Sequence, residues 1–161
     1  MSLAADLVAE LTARNLSVAV AESLTGGLLV AELVAIPGAS LVVRGGVVAY
    51  ATGLKHSLLG VSAELLAAEG PVHPEVARQM AMGVRRMLSV DGTPADIGLA
   101  TTGVAGPGPR NGHPEGEAYV AIAIGGRAEV LHLHISGTRD DIRKRVVSES
   151  LSELAKLLHR G

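Results

Sequence analysis

Helix-type and strand-type residue patterns alternate along most of this chain, and this alternation constrains the fold more than any other feature of the sequence. Apolar residues recur at helical spacing over 3–15, and a short β-branched run follows at 17–21. A polar, glycine-rich turn at 22–27 leads into an apolar segment, 28–36, which a Pro-Gly pair terminates. The pattern predicts a helix, a buried strand, a turn and a second helix.

Further helices and strands are expected beyond this first unit. Pro74 suits the first turn of a long amphipathic helix, and Thr138 with Asp141 resembles a capping box. The remaining expected elements are a strand at 45–50, an irregular stretch that carries Lys55, a short helix at 62–69, a long helix from 74, a strand at 95–101, a glycine- and proline-rich ordered loop at 103–116, paired strands at 117–124 and 128–135, and a final helix from 138.

Helices that alternate with strands and then give way to a hairpin predict an α/β fold. The expected architecture is a three-layer α/β/α sandwich around a mixed sheet, with a C-terminal β-hairpin and a long final helix. No repeat or boundary divides the sequence, so residues 1–161 are expected to form a single domain. With no Phe, no Trp and two tyrosines, the core must consist of Ala, Val, Leu and Ile.

Composition excludes several classes of function. The net charge is −2 and the basic residues are scattered, which disfavours nucleic-acid binding. The absence of cysteine excludes disulfides, thiolate catalysis and zinc–thiolate sites. The N-terminus has no basic leader, and no apolar run approaches the roughly 18 residues of a membrane span. A soluble, cytoplasmic protein without membrane contact is expected.

Ser23 is the first candidate for chemistry, because it lies where a predicted strand ends and a glycine-rich turn begins a helix. Free backbone N–H groups at such a position can hold an oxyanion or a phosphate. The alternative is that Ser23 or Thr25 is only a helix N-cap. The pair Gly26 and Gly27 favours a ligand, because glycine lets a ligand approach the backbone but weakens a helix start.

A serine nucleophile needs a base, and Lys55 is the preferred candidate. The chain has only three lysines against eleven arginines, and the other two lie on the final helix. Lys55 follows Tyr50 by five residues in an otherwise apolar stretch, and burial can tune a lysine to release its proton. Its pKa would have to fall by about 3 units, or roughly 4 kcal/mol. The alternative is a snorkelling lysine on a turn.

Several other residues could bind an anion or a metal. The loop from Thr102 to Gly108 can point successive N–H groups at an anion, although it can equally be a structural turn. Arg139 and Arg143, at the start of the last helix, could share a phosphate with the helix dipole or simply be solvated. His132 and His134 form an H-x-H pair, but no third ligand stands at a predictable spacing, so no metal is expected.

Four segments together resemble the motif series of the CinA C-terminal family in order and spacing. They are Ala21–Gly27, Tyr50 with Lys55, Thr102–Gly108 and Gly137–Arg139. The resemblance spans nearly the whole chain. It implies a stand-alone deamidase that converts nicotinamide mononucleotide and water to nicotinate mononucleotide and ammonia in pyridine nucleotide recycling, without a cofactor. In larger CinA proteins the same unit follows a nucleotide-pyrophosphatase domain.

The resemblance assigns the family's serine, lysine and tyrosine to Ser23, Lys55 and Tyr50, the trio that the chemistry indicates. Lys55, helped by Tyr50, is expected to deprotonate Ser23, and N–H groups near Gly26 or Gly103 to hold the oxyanion. Arg139 is the first choice for the phosphate and Arg143 the second. The expected substrate-binding residues are Glu22, Thr25, Gly26, Gly27, Thr102, Gly103, Ala105, Gly106, Arg139 and Arg143.

The sequence departs from the family pattern at three positions. The family usually has serine at the position of His73, threonine at Glu117 and aspartate at Thr138. The change at Glu117 follows the glycine-rich loop directly, so it bears on how the substrate fits there.

Two other functions remain open at this level. A non-catalytic nucleotide-binding regulatory module would bind a mononucleotide without releasing ammonia. A serine–lysine amidase or peptidase with another substrate would keep the nucleophile but not the phosphate site. The apolar composition and the strand that carries His132 and His134 suit a homo-oligomer.

Overall fold

A five-stranded mixed sheet forms the centre of the molecule, and a computed structural model describes all 161 residues. The sheet order is β2-β1-β3-β4-β5. β2, β1 and β3 are parallel, whereas β3, β4 and β5 pair antiparallel, so the sheet has a parallel half and an antiparallel half that meet at β3. The strands are β1 (Val18–Glu22), β2 (Val43–Val48), β3 (Ile97–Gly103), β4 (Glu117–Ile124) and β5 (Arg127–His134).

Six helices cover the two faces of the sheet and create two hydrophobic cores. α1, α2 and α6 pack on one face, and α5 packs on the other beside the chain around α4. The predicted three-layer α/β/α sandwich is therefore confirmed, with its hairpin and long final helix. The helices are α1 (Leu3–Arg14), α2 (Leu28–Val34), α3 (Thr52–Ser57), α4 (Ala63–Glu69), α5 (Pro74–Met87) and α6 (Arg139–Arg160).

Small residues let the layers approach closely where aromatic side chains are missing. Along β1, Val18 and Val20 enter the core under α1, α2 and α6, whereas Ala19 and Ala21 face α5. A Cβ added at Gly98 would lie 1.9 Å from the carbonyl oxygen of Ala81, so α5 packs directly on the backbone of β3. This tight packing compensates for the lack of bulky core residues.

Several helix starts follow the chemistry expected from the sequence. Pro74 occupies the first turn of α5, and His73 caps that helix by accepting a hydrogen bond from the backbone N–H of Glu75. Thr138 and Asp141 form a reciprocal capping box at the start of α6. At two of the departures from the family pattern, His73 and Thr138, the residue present is thus a helix cap.

Three details differ from the predictions. The stretch that carries Lys55 is a helix, α3, rather than irregular chain; six residues are too few to show helical periodicity. A 3-10 helix at Ala39–Leu41 was not expected. β2 begins and ends two residues earlier than predicted, and β3 two residues later. None of the helices is both long enough and apolar enough to cross a membrane.

Candidate active site

The carboxyl ends of the three parallel strands meet at one edge of the sheet, where open α/β sheets usually bind ligands. β1 ends at Glu22, β2 at Val48 and β3 at Gly103. The backbone N–H of Ser23 donates to the carbonyl oxygen of Thr101 over 3.1 Å, which ties the residue after β1 to β3. Because β1 lies between its two neighbours, residues that follow it can meet residues from both.

Ser23 and Lys55 form a direct hydrogen bond at this edge. Lys55 Nζ lies 2.9 Å from Ser23 Oγ, 2.7 Å from the carbonyl oxygen of Ala49 and 3.4 Å from that of Tyr50. α3 turns the lysine back towards β1, so only 1% of its surface is exposed. A hydroxyl and an amine that are 32 residues apart in sequence are therefore within proton-transfer distance.

Burial gives Lys55 an unusual acidity. It lowers the pKa of the side chain from 10.5 to about 8, and no ion pair opposes the effect. With that pKa, about one lysine in ten is neutral at pH 7, against fewer than about one in a thousand at the ordinary pKa. The fold thus provides a base that can accept the proton of Ser23.

Two adjoining chambers form a cleft in front of this pair. The inner chamber contains Ser23 and Lys55, and the outer chamber lies between the glycine-rich loop and the start of α6. Both chambers are lined by Tyr50, Gly103, Val104 and Arg110. The inner chamber is also lined by Thr52, Pro71, Val72, Thr102 and Asn111, and the outer by Leu24, Ala105, Gly106, Pro107, Gly108, Pro109 and Arg139.

The cleft is positively charged even though the chain has a net charge of −2. Lys55, Arg110 and Arg139 line it, whereas no Asp or Glu lines either chamber. The backbone N–H groups of Ala105 and Gly106 in the outer chamber have no hydrogen-bond partner in the protein. A site with cations, free N–H groups and no carboxylate favours an anionic ligand.

Tyr50 lies at the boundary between the chambers, but its hydroxyl does not contact the Ser23–Lys55 pair. The hydroxyl accepts a hydrogen bond from Arg139 Nη2 at 3.1 Å, and Arg139 Nη1 donates to the carbonyl oxygen of Gly106 at 2.6 Å. Only the backbone oxygen of Tyr50 contacts Lys55. The expectation that the Tyr50 side chain assists the proton transfer is therefore corrected: it lines the cleft and orients Arg139.

Glu22 is fully buried and caps α2, so the expectation that it binds substrate is wrong. Its two carboxylate oxygens accept hydrogen bonds from the backbone N–H groups of Leu29 and Val30 over 2.9 and 3.1 Å. The N-cap position itself is Gly27, which has no side chain to perform this function. A carboxylate from the preceding strand thus satisfies the start of α2, and these N–H groups are not free for a ligand.

The turn after Ser23 is held by three residues that do not line the cleft, Arg143, Gly26 and Gly27. Arg143 Nε and Nη2 donate to the carbonyl oxygens of Leu24 and Thr25 at 2.8 and 3.3 Å. Gly26 and Gly27 have φ of +58° and +105°, and a Cβ on Gly26 would lie 3.1 Å from Arg143. Their expected substrate contacts are corrected: these residues hold the geometry of the turn.

The two threonines expected to bind substrate are engaged with the protein. Thr25 is fully buried, and its hydroxyl lies 2.8 Å from that of Thr101. Thr102 donates to the carbonyl oxygen of Pro71 at 2.7 Å, although it still lines the inner chamber. Gly103, Ala105 and Gly106 line the cleft, and their contact with substrate stays a prediction.

Comparison with known proteins gives a consistent result. The family model for the CinA C-terminal domain matches residues 1–158. The chain belongs to this family.

Other CinA relatives agree in sequence and fold. A Geobacillus kaustophilus protein whose name refers to competence-damage induction is 49% identical over 146 residues, 90% of this chain and 34% of the relative. The crystal structure of the competence/damage inducible protein CihA from Agrobacterium tumefaciens has a TM-score of 0.89 and 34% identity, covering 96% of this chain and 93% of that one. A CinA superfamily protein from Klebsiella pneumoniae has a TM-score of 0.92 at 29% identity, covering 99% and 97%. This chain spans about a third of the length of the curated relatives that it matches.

Glu117, the third departure from the CinA family pattern, is the centre of a polar cluster at the start of β4. Its Oε1 accepts hydrogen bonds from Tyr119 at 2.9 Å and His132 at 3.2 Å, and its Oε2 lies 3.4 Å from His113 Nδ1. The ring of His132 stacks on Tyr119 and lies 4.4 Å from that of His134. No group of three or more His, Asp or Glu residues is arranged to hold a metal ion.

Burial alone would raise the pKa of Glu117, but hydrogen bonds from Tyr119, His113 and His132 outweigh it and hold the pKa below its ordinary value. Burial, reinforced by the bond to Glu117, raises the pKa of Tyr119 to about 12. The carboxylate is therefore stabilised in its charged form and ties the loop that precedes β4 to the sheet.

Sequence reasoning overlooked Arg110, the only arginine that lines both chambers. It lies outside the matched CinA motifs, within a loop whose composition indicates only turns. The one available signal was the presence of a lone cation among the glycines and prolines of residues 103–116.

Proposed function

We propose that this chain is an amidohydrolase that deamidates nicotinamide mononucleotide to nicotinate mononucleotide and ammonia. The observation that carries the proposal is the 2.9 Å contact between Ser23 Oγ and Lys55 Nζ, with burial lowering the pKa of the lysine to about 8. The substrate class is what the resemblance to the CinA family implies, and a positively charged cleft that no carboxylate lines supports an anionic mononucleotide.

The first step forms an acyl-enzyme. Neutral Lys55 accepts the hydroxyl proton of Ser23 while the serine oxygen attacks the carboxamide carbon of the nicotinamide ring. The carbonyl oxygen becomes an oxyanion. When the tetrahedral intermediate collapses, the C–N bond breaks and Lys55 returns its proton to the leaving nitrogen, which departs as ammonia.

The backbone beside Ser23 offers donors for that oxyanion. The N–H groups of Leu24 and Thr25 have no hydrogen-bond partner within the protein, whereas that of Gly26 donates to the carbonyl oxygen of Ser23. The proposed oxyanion donor is therefore Leu24, which lines the cleft, rather than Gly26 or the fully buried Thr25. Loss of one such donor typically weakens transition-state stabilisation by about 3 to 4 kcal/mol.

The second step hydrolyses the ester. Lys55, neutral again after protonating the leaving nitrogen, deprotonates a water molecule that attacks the acyl carbon. The bond to Ser23 Oγ breaks, Lys55 passes the proton taken from water to the serine oxygen, and nicotinate mononucleotide is released with its new carboxyl group ionised. In this scheme the pyridine ring occupies the inner chamber and the phosphate the outer chamber, against Arg139 and the loop N–H groups of Ala105 and Gly106.

Ammonia release with three substrates tests this function. Nicotinamide mononucleotide should be turned over at a measurable rate and nicotinamide riboside much more slowly, because the riboside lacks the phosphate. Nicotinamide should be slowest, because it lacks the ribose as well. Saturable mononucleotide binding without ammonia would indicate a regulatory module instead. Equal rates with and without the phosphate would indicate an amidase with another substrate.

A further inference from the structure

One cation in the cleft has no partner in the protein. Arg139 donates to Tyr50 and Gly106, and Lys55 contacts Ser23 and two carbonyl oxygens. The Arg110 guanidinium forms neither a hydrogen bond nor an ion pair, although it borders both chambers. Its five N–H donors are therefore available to a ligand.

The backbone of Arg110 is nevertheless well defined. Its N–H donates to the carbonyl oxygen of His113, and the N–H of His113 donates back to the carbonyl oxygen of Arg110, both over 2.9 Å. Asn111 and Gly112 form the two-residue turn between them, with φ of +50° and +80°. These values match the tight turn type in which both central residues have positive φ, so Arg110 extends from the end of a small hairpin.

Glu117 attaches this hairpin to the sheet. Its carboxylate contacts His113 on one side and Tyr119 and His132 on the other. The base of the loop is closed by two backbone hydrogen bonds of 2.8 Å that Val104 makes, donating to Glu117 and accepting from Gly116. The hairpin is thus held by the antiparallel half of the sheet, and this support places the exposed Arg110 at the border of the cleft.

We propose that Arg110 binds the phosphate of the substrate and determines the preference for phosphorylated ligands, with Glu117 as a positioning residue. This role presupposes the deamidase function proposed above. The guanidinium suits a phosphate because it can donate two parallel hydrogen bonds. Arg139 already donates hydrogen bonds to Gly106 and Tyr50, whereas all the side-chain donors of Arg110 are free. Arg110 therefore supplies the larger part of the selectivity for phosphorylated ligands.

The test compares Arg110→Gln with Arg127→Gln, which removes the same charge from an exposed arginine at the start of β5. Arg127 pairs with Ile124, at the end of β4 opposite to Glu117. Neither arginine side chain has a hydrogen bond or ion pair to lose. Two readouts are needed: kcat and KM for nicotinamide mononucleotide, and calorimetric binding of ribose 5-phosphate and of ribose. We expect R110Q to raise KM and to weaken ribose 5-phosphate binding by about tenfold each, with little change in kcat, and R127Q to change neither.

The binding readout separates this proposal from the function on which it rests. If the parent protein released no ammonia but R110Q still lost affinity for ribose 5-phosphate relative to ribose, the deamidase function would fail and the anion site would stand. If R110Q bound ribose 5-phosphate as tightly as the parent, the role of Arg110 would be wrong. Partial recovery in R110K would support a charge contact, and no recovery would support the two-bond geometry specific to arginine.

Discussion

The two halves of the sheet contribute differently to the cleft. The parallel half supplies the reacting groups, since Ser23 follows β1, Lys55 follows β2 and both are buried. The antiparallel half supplies the support for the ligand loop through Glu117 at the start of β4, and its edge strand β5 is largely exposed. The nucleophile thus follows a strand that has neighbours on both sides, whereas the ligand loop is supported from the strand beside the exposed edge β5.

The contrast extends to how each half is held. Ser23 is fixed by hydrogen bonds to β3 and Lys55 by the carbonyl oxygens that follow β2, so a change there alters the reacting atoms directly. Glu117 acts at a distance, through His113 and the loop. We therefore expect substitutions in the parallel half to lower kcat strongly, and substitutions around the ligand loop to change KM more than kcat.

The largest effect is expected for Ser23→Ala, which removes the nucleophile. Steady-state ammonia release should fall by at least about 10⁴-fold, while mononucleotide binding measured by calorimetry should remain, because the serine oxygen is not a phosphate ligand. Ser57→Ala, an exposed position on α3, is the matched control and should leave the rate unchanged. A rate within tenfold of the parent for S23A would contradict a serine nucleophile.

Lys55→Met should lower kcat by about 10³-fold while making the fold more stable. Because folding depresses the pKa of Lys55 from 10.5 to about 8, the parent must deprotonate or desolvate a charged amine at neutral pH, and the neutral variant need not. We expect urea denaturation at pH 7 to show about 1 to 3 kcal/mol of added stability.

The pH dependence of this difference has a definite sign. Between pH 8 and 10.5 the unfolded parent binds more protons than the folded parent, so parent stability rises with pH and the advantage of K55M shrinks. The kcat/KM of the parent should likewise rise with pH and level off above about 8. A pH-independent stability difference would mean that Lys55 is not perturbed by burial.

Arg139→Gln should raise KM for nicotinamide mononucleotide by about fivefold, less than R110Q, and lower kcat by at most about twofold. The variant loses the contacts to Tyr50 and Gly106 that shape the outer chamber, as well as a positive charge. Arg145→Gln, on the solvated side of α6, is the control; its ion pair with Glu149 is exposed and contributes little. A kcat defect larger than the KM defect would place Arg139 among the reacting groups.

The smallest effect is expected for Glu117→Gln. Removing the carboxylate weakens the bonds to His113, Tyr119 and His132, so KM should rise about threefold and the unfolding free energy should fall by about 1 kcal/mol. Because folding depresses the pKa of Glu117, its contribution is present above pH 4.5 and is lost as the pH falls below that value. Denaturation at pH 7 and pH 3.5 checks whether the deficit disappears in acid.

The antiparallel hairpin was the better predicted in extent, since β4 spans the predicted 117–124 and β5 lies within one residue of its prediction, whereas β2 and β3 are each displaced by two. Residue patterns and turn chemistry indicated β1, the turn after Ser23, the Pro74 helix start and the Thr138 capping box, because each depends on neighbouring residues. The pairing of Ser23 with Lys55 could be proposed from chemistry, since few bases were available. The distance between them could not, because it depends on the parallel order β2-β1-β3.

The remaining errors come from contacts between distant residues. Glu22 belongs to the matched motif and directly precedes Ser23, yet its carboxylate caps α2 by accepting a hydrogen bond from the backbone N–H seven residues later. Arg143 reaches back over 119 residues to the carbonyl oxygen of Leu24. Arg110 has no periodic or motif signal, and only the fold shows that its loop borders the cleft. Side-chain direction and loop placement, rather than residue type, separated the supporting residues from those that face a ligand.

The scarcity of aromatic residues also makes the molecule simple to observe. Without tryptophan, intrinsic fluorescence comes from the two tyrosines alone. One follows β2 in the parallel half of the sheet, and the other lies in β4 in the antiparallel half. Tyr50 is more than half exposed on the cleft, whereas Tyr119 is buried against the Glu117 carboxylate. Emission that changes on ligand addition in the parent but not in Tyr50→Phe would therefore report occupancy of the cleft without any attached dye.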